Sequence, residues 1–166
     1  MSVKDRMSPA EGLGLGLAFA ATGLYFILVS FDVLPPPGGA AANGPAFIVF
    51  CAGLAFLCAG LAVAVRARAG AGTHDNDLPP EAPAWTHAAY RVAGIAVAGS
   101  LASIGTWIAI GSGPRAFTVA GPFIEMRTTG ETIGRTVFGL GAVIVWIYVI
   151  ALTVGTVRKL FDRRGG

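Results

Sequence analysis

Charge is scarce in this sequence. Only 13% of its 166 residues are Asp, Glu, Lys or Arg, against roughly 25% in soluble globular domains. So few charges cannot cover the surface of a water-soluble domain, and a bilayer is the natural solvent for such a chain. The basic residues stand singly or in pairs rather than in a patch, so the formal charge of +3 predicts no nucleic-acid partner.

Histidine and cysteine are rarer still, with two of each. His74 and His87 lie outside the long apolar runs, which excludes a pair of histidines holding haem inside a bilayer. Cys51 and Cys58 share a helix face but are separated along it by roughly 10 Å, too far for a disulfide. A Ser/His/Asp set, a Walker loop and a dinucleotide fingerprint are all missing from the sequence. We therefore predict no catalytic residue, no metal site and no cofactor.

The chain does contain four apolar runs, each close to the ~20 residues that cross the hydrocarbon of a bilayer. None of them contains a charge, and all are rich in Gly and Ala, which let membrane helices pack closely. We predict an all-α membrane protein, with four transmembrane helices arranged as two helical hairpins in a single four-helix domain, residues 1–166. The predicted spans are about 12–31, 45–65, 92–111 and 136–157, with a linker at 66–91 and outer loops at 32–44 and 112–135.

Orientation follows from the positions of Lys and Arg, which accumulate on the cytoplasmic side of a membrane. Nine of the twelve basic residues flank the N-terminus, the 66–91 linker and the C-terminus, and three lie in the last outer loop. We therefore expect a multi-pass protein of the bacterial inner membrane with both termini in the cytoplasm. A cleaved signal peptide ending near Ala40-Ala41-Ala42 is the alternative interpretation of the first run.

The segment at 69–83 is rich in Gly, Pro and acidic residues, which is typical of a solvated linker. A weak divalent-cation site at His74, Asp75 and Asp77 is the alternative to a plain linker. From Pro83 to Arg91 we expect a short interfacial helix that leads into the third span.

The second outer loop alternates β-prone and polar residues from 116 to 132 and has a turn signal at Thr129-Gly130. This pattern predicts a short β-hairpin or flap on the membrane surface. Its charged residues suit a rim that docks another subunit, although a plain solvated face and paired-carboxylate catalysis are alternatives. Trp146 falls in the middle of the fourth span, where it is either a lipid-facing or packed aromatic residue or a contact for a partner or a hydrophobic cofactor. The candidate partner-docking residues are Arg115, Glu125, Arg127, Glu131, Arg135 and Trp146.

Small residues in the spans point to helix packing. Gly12 and Gly16 are four residues apart, a spacing that suits close helix contact, and no strand precedes them as a nucleotide-binding loop would require. Hydroxyl side chains in the spans are expected to bond to helix carbonyls, because an ion pathway normally needs intramembrane charges. The predicted helix-packing residues are Gly12, Gly16, Gly23, Gly53, Gly105 and Gly141. Gly23-Leu24-Tyr25 resembles Gly105-Thr106-Trp107, and the alternatives are a chance recurrence of small and aromatic residues or a parallel repeat of the two halves.

Three segments of the first seventy residues carry a family resemblance: Gly44-Pro45-Ala46-Phe47, Gly53-Leu54-Ala55-Phe56 and Arg66-Ala67-Arg68. This part of the chain resembles the small membrane subunit of tripartite tricarboxylate transporters. The second half departs from that pattern. Its Gly113-Pro114-Arg115-Ala116-Phe117 segment and the stretch from Gly134 to Ala142 are similar to small proteobacterial four-helix membrane proteins of uncharacterised activity, and this resemblance implies no activity. The transporter resemblance implies a large permease partner and a periplasmic binding protein.

Two functional hypotheses follow. The first is a non-catalytic accessory or assembly subunit that packs its small-residue helices against a larger membrane protein. The second is the small subunit of a tripartite tricarboxylate-type transporter. A membrane enzyme is a third, weaker hypothesis, because no convergent charged residues are visible in the spans. The expected partners are membrane lipid and either a larger membrane protein or further copies of the same chain.

Overall fold

The computed structural model describes residues 8–37, 45–69, 78–112 and 127–162, and these form four α-helices. The helices are α1 (Pro9–Ser30), α2 (Ala46–Arg68), α3 (Ala84–Ile110) and α4 (Arg127–Asp162). All four are long and apolar enough to cross a membrane, with the candidate span of α4 running over Thr132–Arg158. The prediction of an all-helical chain with four membrane-length helices is confirmed, and this indicates a multi-pass membrane protein.

The start of α1 is fixed by a capping box. The Ser8 hydroxyl accepts a hydrogen bond from the Glu11 backbone N–H at 3.2 Å, and the Glu11 carboxylate accepts one from the Ser8 N–H at 2.7 Å. Pro9 occupies the first turn, where its missing N–H costs nothing. These contacts satisfy backbone donors that a helix start otherwise leaves unpaired.

The end of α1 is a Schellman motif. The Val33 N–H donates to the Leu28 carbonyl at 3.0 Å and the Asp32 N–H to the Val29 carbonyl at 3.1 Å. Asp32 adopts φ 57°, the left-handed conformation that this motif needs and that glycine usually supplies. The Tyr25 hydroxyl then donates to the Pro35 carbonyl at 2.8 Å, which ties the proline segment back onto the helix.

The structure extends the predicted third span at its N-terminal end. α3 begins at Ala84, so the short helix expected from Pro83 to Arg91 is continuous with the third span. With 27 residues, α3 is about 40 Å long, some 10 Å more than the hydrocarbon needs. Pro83 stands at its N-cap, where the restricted backbone of proline suits a helix start.

The predicted β-hairpin or flap is wrong over the part that the structure describes. α4 begins at Arg127, so Thr129-Gly130 lies inside a helix and not at a turn, and the described residues contain no strand. Each residue added to an existing helix forms one more backbone hydrogen bond, and no new helix nucleus has to form. An isolated two-stranded hairpin, by contrast, is only marginally stable in water. The remainder of the predicted flap, 116–126, lies outside the described residues.

The helices pack in sequence order: α1 on α2, α2 on α3, and α3 on α4. Within the described parts of the chain, no other pair of helices is in contact. The result is an open bundle of two helical hairpins, with α1 and α4 at its edges. Its buried apolar residues are few and mostly small, and many large apolar side chains point outwards, as suits a chain surrounded by lipid.

Hydroxyl groups in the helices mostly bond to carbonyls of the preceding turn. Thr22, Ser103, Thr106 and Thr153 each donate to the carbonyl four residues earlier, at 2.7–2.9 Å. These bonds confirm the expected bonding of hydroxyls to helix carbonyls. Ser100 differs, because its hydroxyl is buried and has no hydrogen-bond partner within the described residues.

Candidate functional site

The closest helix contact is between α1 and α2, and glycines make it. A Cβ built on Gly16 would lie 2.6 Å from the Ala64 nitrogen and 2.7 Å from the Gly60 carbonyl oxygen. A Cβ built on Gly60 would lie 2.5 Å from the Gly16 carbonyl oxygen and closer still to the nitrogen of Ala20. Real Cβ atoms essentially never come within 3.0 Å of such atoms. The two backbones therefore touch at these positions, and a larger residue fits only if the helices move apart.

One helical heptad further along, the same contact repeats. A Cβ on Gly23 would collide with the backbone of Leu57 and lie 2.6 Å from the Gly53 carbonyl oxygen. A Cβ on Gly53 would lie 2.8 Å from the Gly23 carbonyl oxygen and 2.9 Å from the nitrogen of Ile27. The two glycine pairs are thus spaced alike on both antiparallel helices, and they fix the register of the α1–α2 hairpin.

The predicted packing glycines of the first hairpin all lie on buried faces. Gly12, Gly16 and Gly23 are buried in α1, and Gly53 is buried in α2. Sequence reasoning missed Gly60, although its seven-residue distance from Gly53 matches that between Gly16 and Gly23. That matching interval was the available signal.

The α3–α4 contact is looser. A Cβ on Gly105 would lie 3.3 Å from the Ala142 Cβ, and a Cβ on Gly139 would lie 3.4 Å from the Ala109 Cβ. At both points a glycine of one helix faces an alanine methyl group of the other, so the two backbones lie farther apart than in the α1–α2 hairpin. Gly141, predicted as a packing residue, is exposed, and a Cβ there would meet nothing within 4 Å. It lies one residue from the true contact, Ala142, and about 100° around the helix from it.

Trp146 bonds to the neighbouring helix of its own chain. Its Nε1–H donates to the Thr106 hydroxyl oxygen at 3.1 Å, and the Thr106 hydroxyl donates to the Ala102 carbonyl at 2.7 Å. The residue as a whole is 40% exposed. The structure thus places Trp146 as a partly packed aromatic residue with a satisfied ring N–H, which matters in hydrocarbon where water cannot accept that bond.

The charged residues predicted for docking separate into three groups. Arg115 and Glu125 lie outside the described residues. Arg127 and Glu131 lie in the first turns of α4, where the structure describes only their backbone. Arg135 donates to the Gly111 carbonyl at 3.2 Å, just past the C-terminus of α3, where a cation is favourable to the helix dipole. Arg135 and Trp146 therefore both have partners within the chain.

The opposite end of the molecule carries Arg66, Arg68, Arg91 and Arg158, and we name it the arginine end. It is where α2 and α4 end and α3 begins, because neighbouring helices are antiparallel. There the Arg66 guanidinium donates to the Tyr90 hydroxyl at 3.3 Å and joins α2 to α3. Arg68, Arg91 and Arg158 are exposed.

A groove of about 940 Å³ opens between α3 and α4 towards the arginine end. We name it the wedge; its walls include Gly94, Ala98, Leu101, Tyr148, Leu152 and Gly155, with Ala62 of α2 also lining it. A Cβ on Gly94 or on Gly155 would meet nothing within 4 Å, in contrast to Gly105 and Gly139 near the other end. α3 and α4 therefore touch near Gly105 and separate towards Arg91, which also lines the wedge.

Groups for metal or acid/base chemistry do not converge in the described residues, where no three His, Cys, Asp or Glu side chains come together. His74, Asp75 and Asp77, the weak cation site considered above, lie outside those residues. Cys51 and Cys58 are both free thiols, with Cys51 buried in α2 and Cys58 partly buried. The candidate functional features of the described residues are therefore the faces of the helices and the wedge between α3 and α4.

Comparison of this chain with protein-family models, with curated proteins and with solved structures finds no match in any of the three.

Proposed function

We propose that this chain is a non-catalytic accessory or assembly subunit of a larger complex in the bacterial inner membrane, with both termini in the cytoplasm. The observation that carries the proposal is the open bundle: among the described parts of the chain, α1 and α4 each pack on a single neighbouring helix. In a closed bundle every helix would pack against two neighbouring helices. Here two edges stay open to a helix of another protein, as suits a small chain that completes a larger assembly.

The α4 edge is the better candidate for the docking surface. Its large apolar side chains project away from α3, with Ile144 67% and Ile147 63% exposed. With 36 residues, α4 is about 54 Å long, so it also projects well beyond the ~30 Å of hydrocarbon. A partner at this edge can therefore contact α4 both inside and outside the membrane.

A photocrosslinking amino acid in α4, used in the native membrane, tests the proposal. Placed at Ile144, it should attach a single larger membrane protein. Placed at Ala142, which is 6% exposed and faces Gly105, it serves as the matched control and should crosslink within the chain. Purification in gentle detergent followed by mass spectrometry should then show the same partner in stoichiometric amount. A homogeneous small homo-oligomer, with only lipid adducts at Ile144, would contradict the accessory role.

The transporter-subunit hypothesis predicts a different result in the same experiment. The attached protein would be a large permease, and deleting the chain would abolish substrate uptake. The α1–α2 hairpin, which carries the resemblance to that family, is also the most tightly packed part of the molecule. Attachment of a partner that is not a permease would support the accessory role and contradict the transporter-subunit hypothesis.

Orientation is testable independently of the partner. The concentration of basic residues at the arginine end favours a cytoplasmic location for that end. A periplasm-active reporter fused after Gly166 should therefore be inactive. Activity of that reporter would reverse the orientation.

A further inference from the structure

The wedge is a gap that the described protein does not fill. Its walls on α3 and α4 include two glycines, Gly94 and Gly155, whose missing side chains leave open space. Leu101 and Tyr148, which also line it, are 55% and 58% exposed. A dry void inside a bilayer deprives its lining of dispersion attraction, so a groove open to lipid will be occupied by an apolar chain.

The length of the wedge matches one leaflet. Its lining on α3 runs from Tyr90 to Leu101, and its lining on α4 runs from Val145 to Thr156. Each stretch rises about 16 Å, close to half of the ~30 Å hydrocarbon thickness. An acyl chain whose headgroup lies at the arginine end would therefore end near the point where α3 and α4 come together.

The mouth of the wedge is positively charged. Gly105 contacts Ala142, and a step of fourteen residues from each towards the arginine end reaches Arg91 on α3 and Thr156 on α4. Both residues line the wedge, so a guanidinium and a hydroxyl lie at its mouth. Arg158 is two residues further along α4 and is exposed. Charge complementarity at this mouth selects an anionic headgroup over a neutral one.

We propose that the wedge binds one acyl chain of an anionic phospholipid from the surrounding bilayer, with the lipid phosphate held by Arg91 at the arginine end. The small residues of α3 and α4 supply the space for the chain, and Arg91 supplies the selectivity. This site belongs to the chain itself and does not depend on the accessory role, so either proposal can fail without the other.

The test is native mass spectrometry of the full-length protein in detergent micelles doped with phosphatidylglycerol or with phosphatidylcholine of identical acyl chains. The wild-type protein should retain one phosphatidylglycerol in preference to phosphatidylcholine. Arg91→Ala should lower phosphatidylglycerol retention about fivefold, the effect of one basic residue near an anionic headgroup, and leave phosphatidylcholine unchanged. Arg68→Ala is the matched control for general surface charge, because Arg68 is exposed at the same end but does not line the wedge.

Filling the wedge tests the acyl-chain part separately. Gly94→Leu should abolish retention of the single lipid, and the smaller Gly94→Ala should reduce it. Gly14→Leu is the matched control, since Gly14 is equally open but lies on α1, away from the wedge. The proposal is overturned if Gly94→Leu retains lipid as well as Gly14→Leu does, or if Arg91→Ala behaves like Arg68→Ala. It is also overturned if a neutral amphiphile such as a quinone co-purifies and is lost on Gly94→Leu.

Discussion

Replacing Gly60 by alanine adds only one methyl group, yet it should weaken the packing of α1 against α2 by more than so small a change suggests. The new methyl group would lie 2.5 Å from the Gly16 carbonyl oxygen, closer still to the Ala20 nitrogen, and 2.9 Å from the Ala20 Cα. All three atoms belong to the α1 backbone, so no side chain can rotate away to make room. The two helices must instead move apart by about 1 Å to restore an ordinary contact distance.

The size of the effect follows from the weaker packing between the separated helices. A gap of about 1 Å removes roughly a quarter to a half of the dispersion attraction between facing atoms. With on the order of 40 atom pairs at about 0.1–0.2 kcal/mol each, the attraction falls by about 1–4 kcal/mol. Alanine recovers up to about 1 kcal/mol through its better helix propensity. We therefore expect Gly60→Ala to lower the free energy of separating the hairpin by about 2 kcal/mol, roughly a thirtyfold change in the equilibrium.

Steric trapping in bicelles measures this quantity. Biotin labels on exposed positions of α1 and α2 near the arginine end allow two streptavidin molecules to bind only when the helices separate. Both native cysteines are replaced by alanine in every variant, so that differences between variants remain comparable. Gly14→Ala is the matched control, because the new Cβ at Gly14 meets nothing within 4 Å and only the gain in helix propensity remains.

The outcome that refutes the reasoning is a Gly60→Ala variant as stable as Gly14→Ala. The structure also predicts an order among the other glycines. The cost should be largest at Gly23 and Gly60, smaller at Gly16 and Gly53, and smallest at Gly105, where the nearest atom is a side-chain carbon at 3.3 Å. A flat series would mean that the helices adjust freely and that these glycines do not set their distance.

Three further predictions concern local contacts. Ser8→Ala removes the capping oxygen, so hydrogen exchange of the Glu11 amide should accelerate about fivefold in an exchange measurement on the detergent-solubilised protein. Trp146→Phe and Thr106→Val, combined in a double-mutant cycle by steric trapping of α3 and α4, should show a coupling of about 0.6–1.7 kcal/mol, and a value near zero would contradict the bond. Asp32→Gly should slow hydrogen exchange of the Val33 amide about fivefold, because glycine adopts the left-handed backbone of Asp32 with about 1 kcal/mol less strain and the Val33–Leu28 hydrogen bond then opens less often; unchanged or faster exchange would argue against that conformation.

The helices were predictable because each span is a run of apolar residues long enough to cross a bilayer, and such runs have few alternative structures. Their ends were harder to place. α4 begins nine residues before the predicted span because polar residues can extend a helix beyond the hydrocarbon, where hydropathy gives no signal. The turn expected at Thr129-Gly130 rested on local propensity alone, and over the described residues from Arg127 onwards the helix prevails over it.

Which glycines make contact could be predicted only in part. The sequence has 24 glycines, and their number marks close packing without saying which faces meet. Gly16, Gly23 and Gly53 lie at the contact, while Gly141 lies one position away from it. A shift of one residue on a helix changes the face completely, so the choice between Gly141 and Ala142 depends on tertiary packing. The wedge had no sequence signal, because Gly94 and Gly155 matter there for the space that they leave.

The order in which the helices pack bears on how the protein is made. In the described parts of the chain each helix contacts only its neighbours along the sequence, so each helix from α2 onwards finds a partner already in the membrane when it leaves the ribosome. No helix has to wait for a later one to cover it, and no long loop has to close before contacts form. Synthesis and folding can therefore advance together, and a chain interrupted after α2 should already contain a correctly folded hairpin.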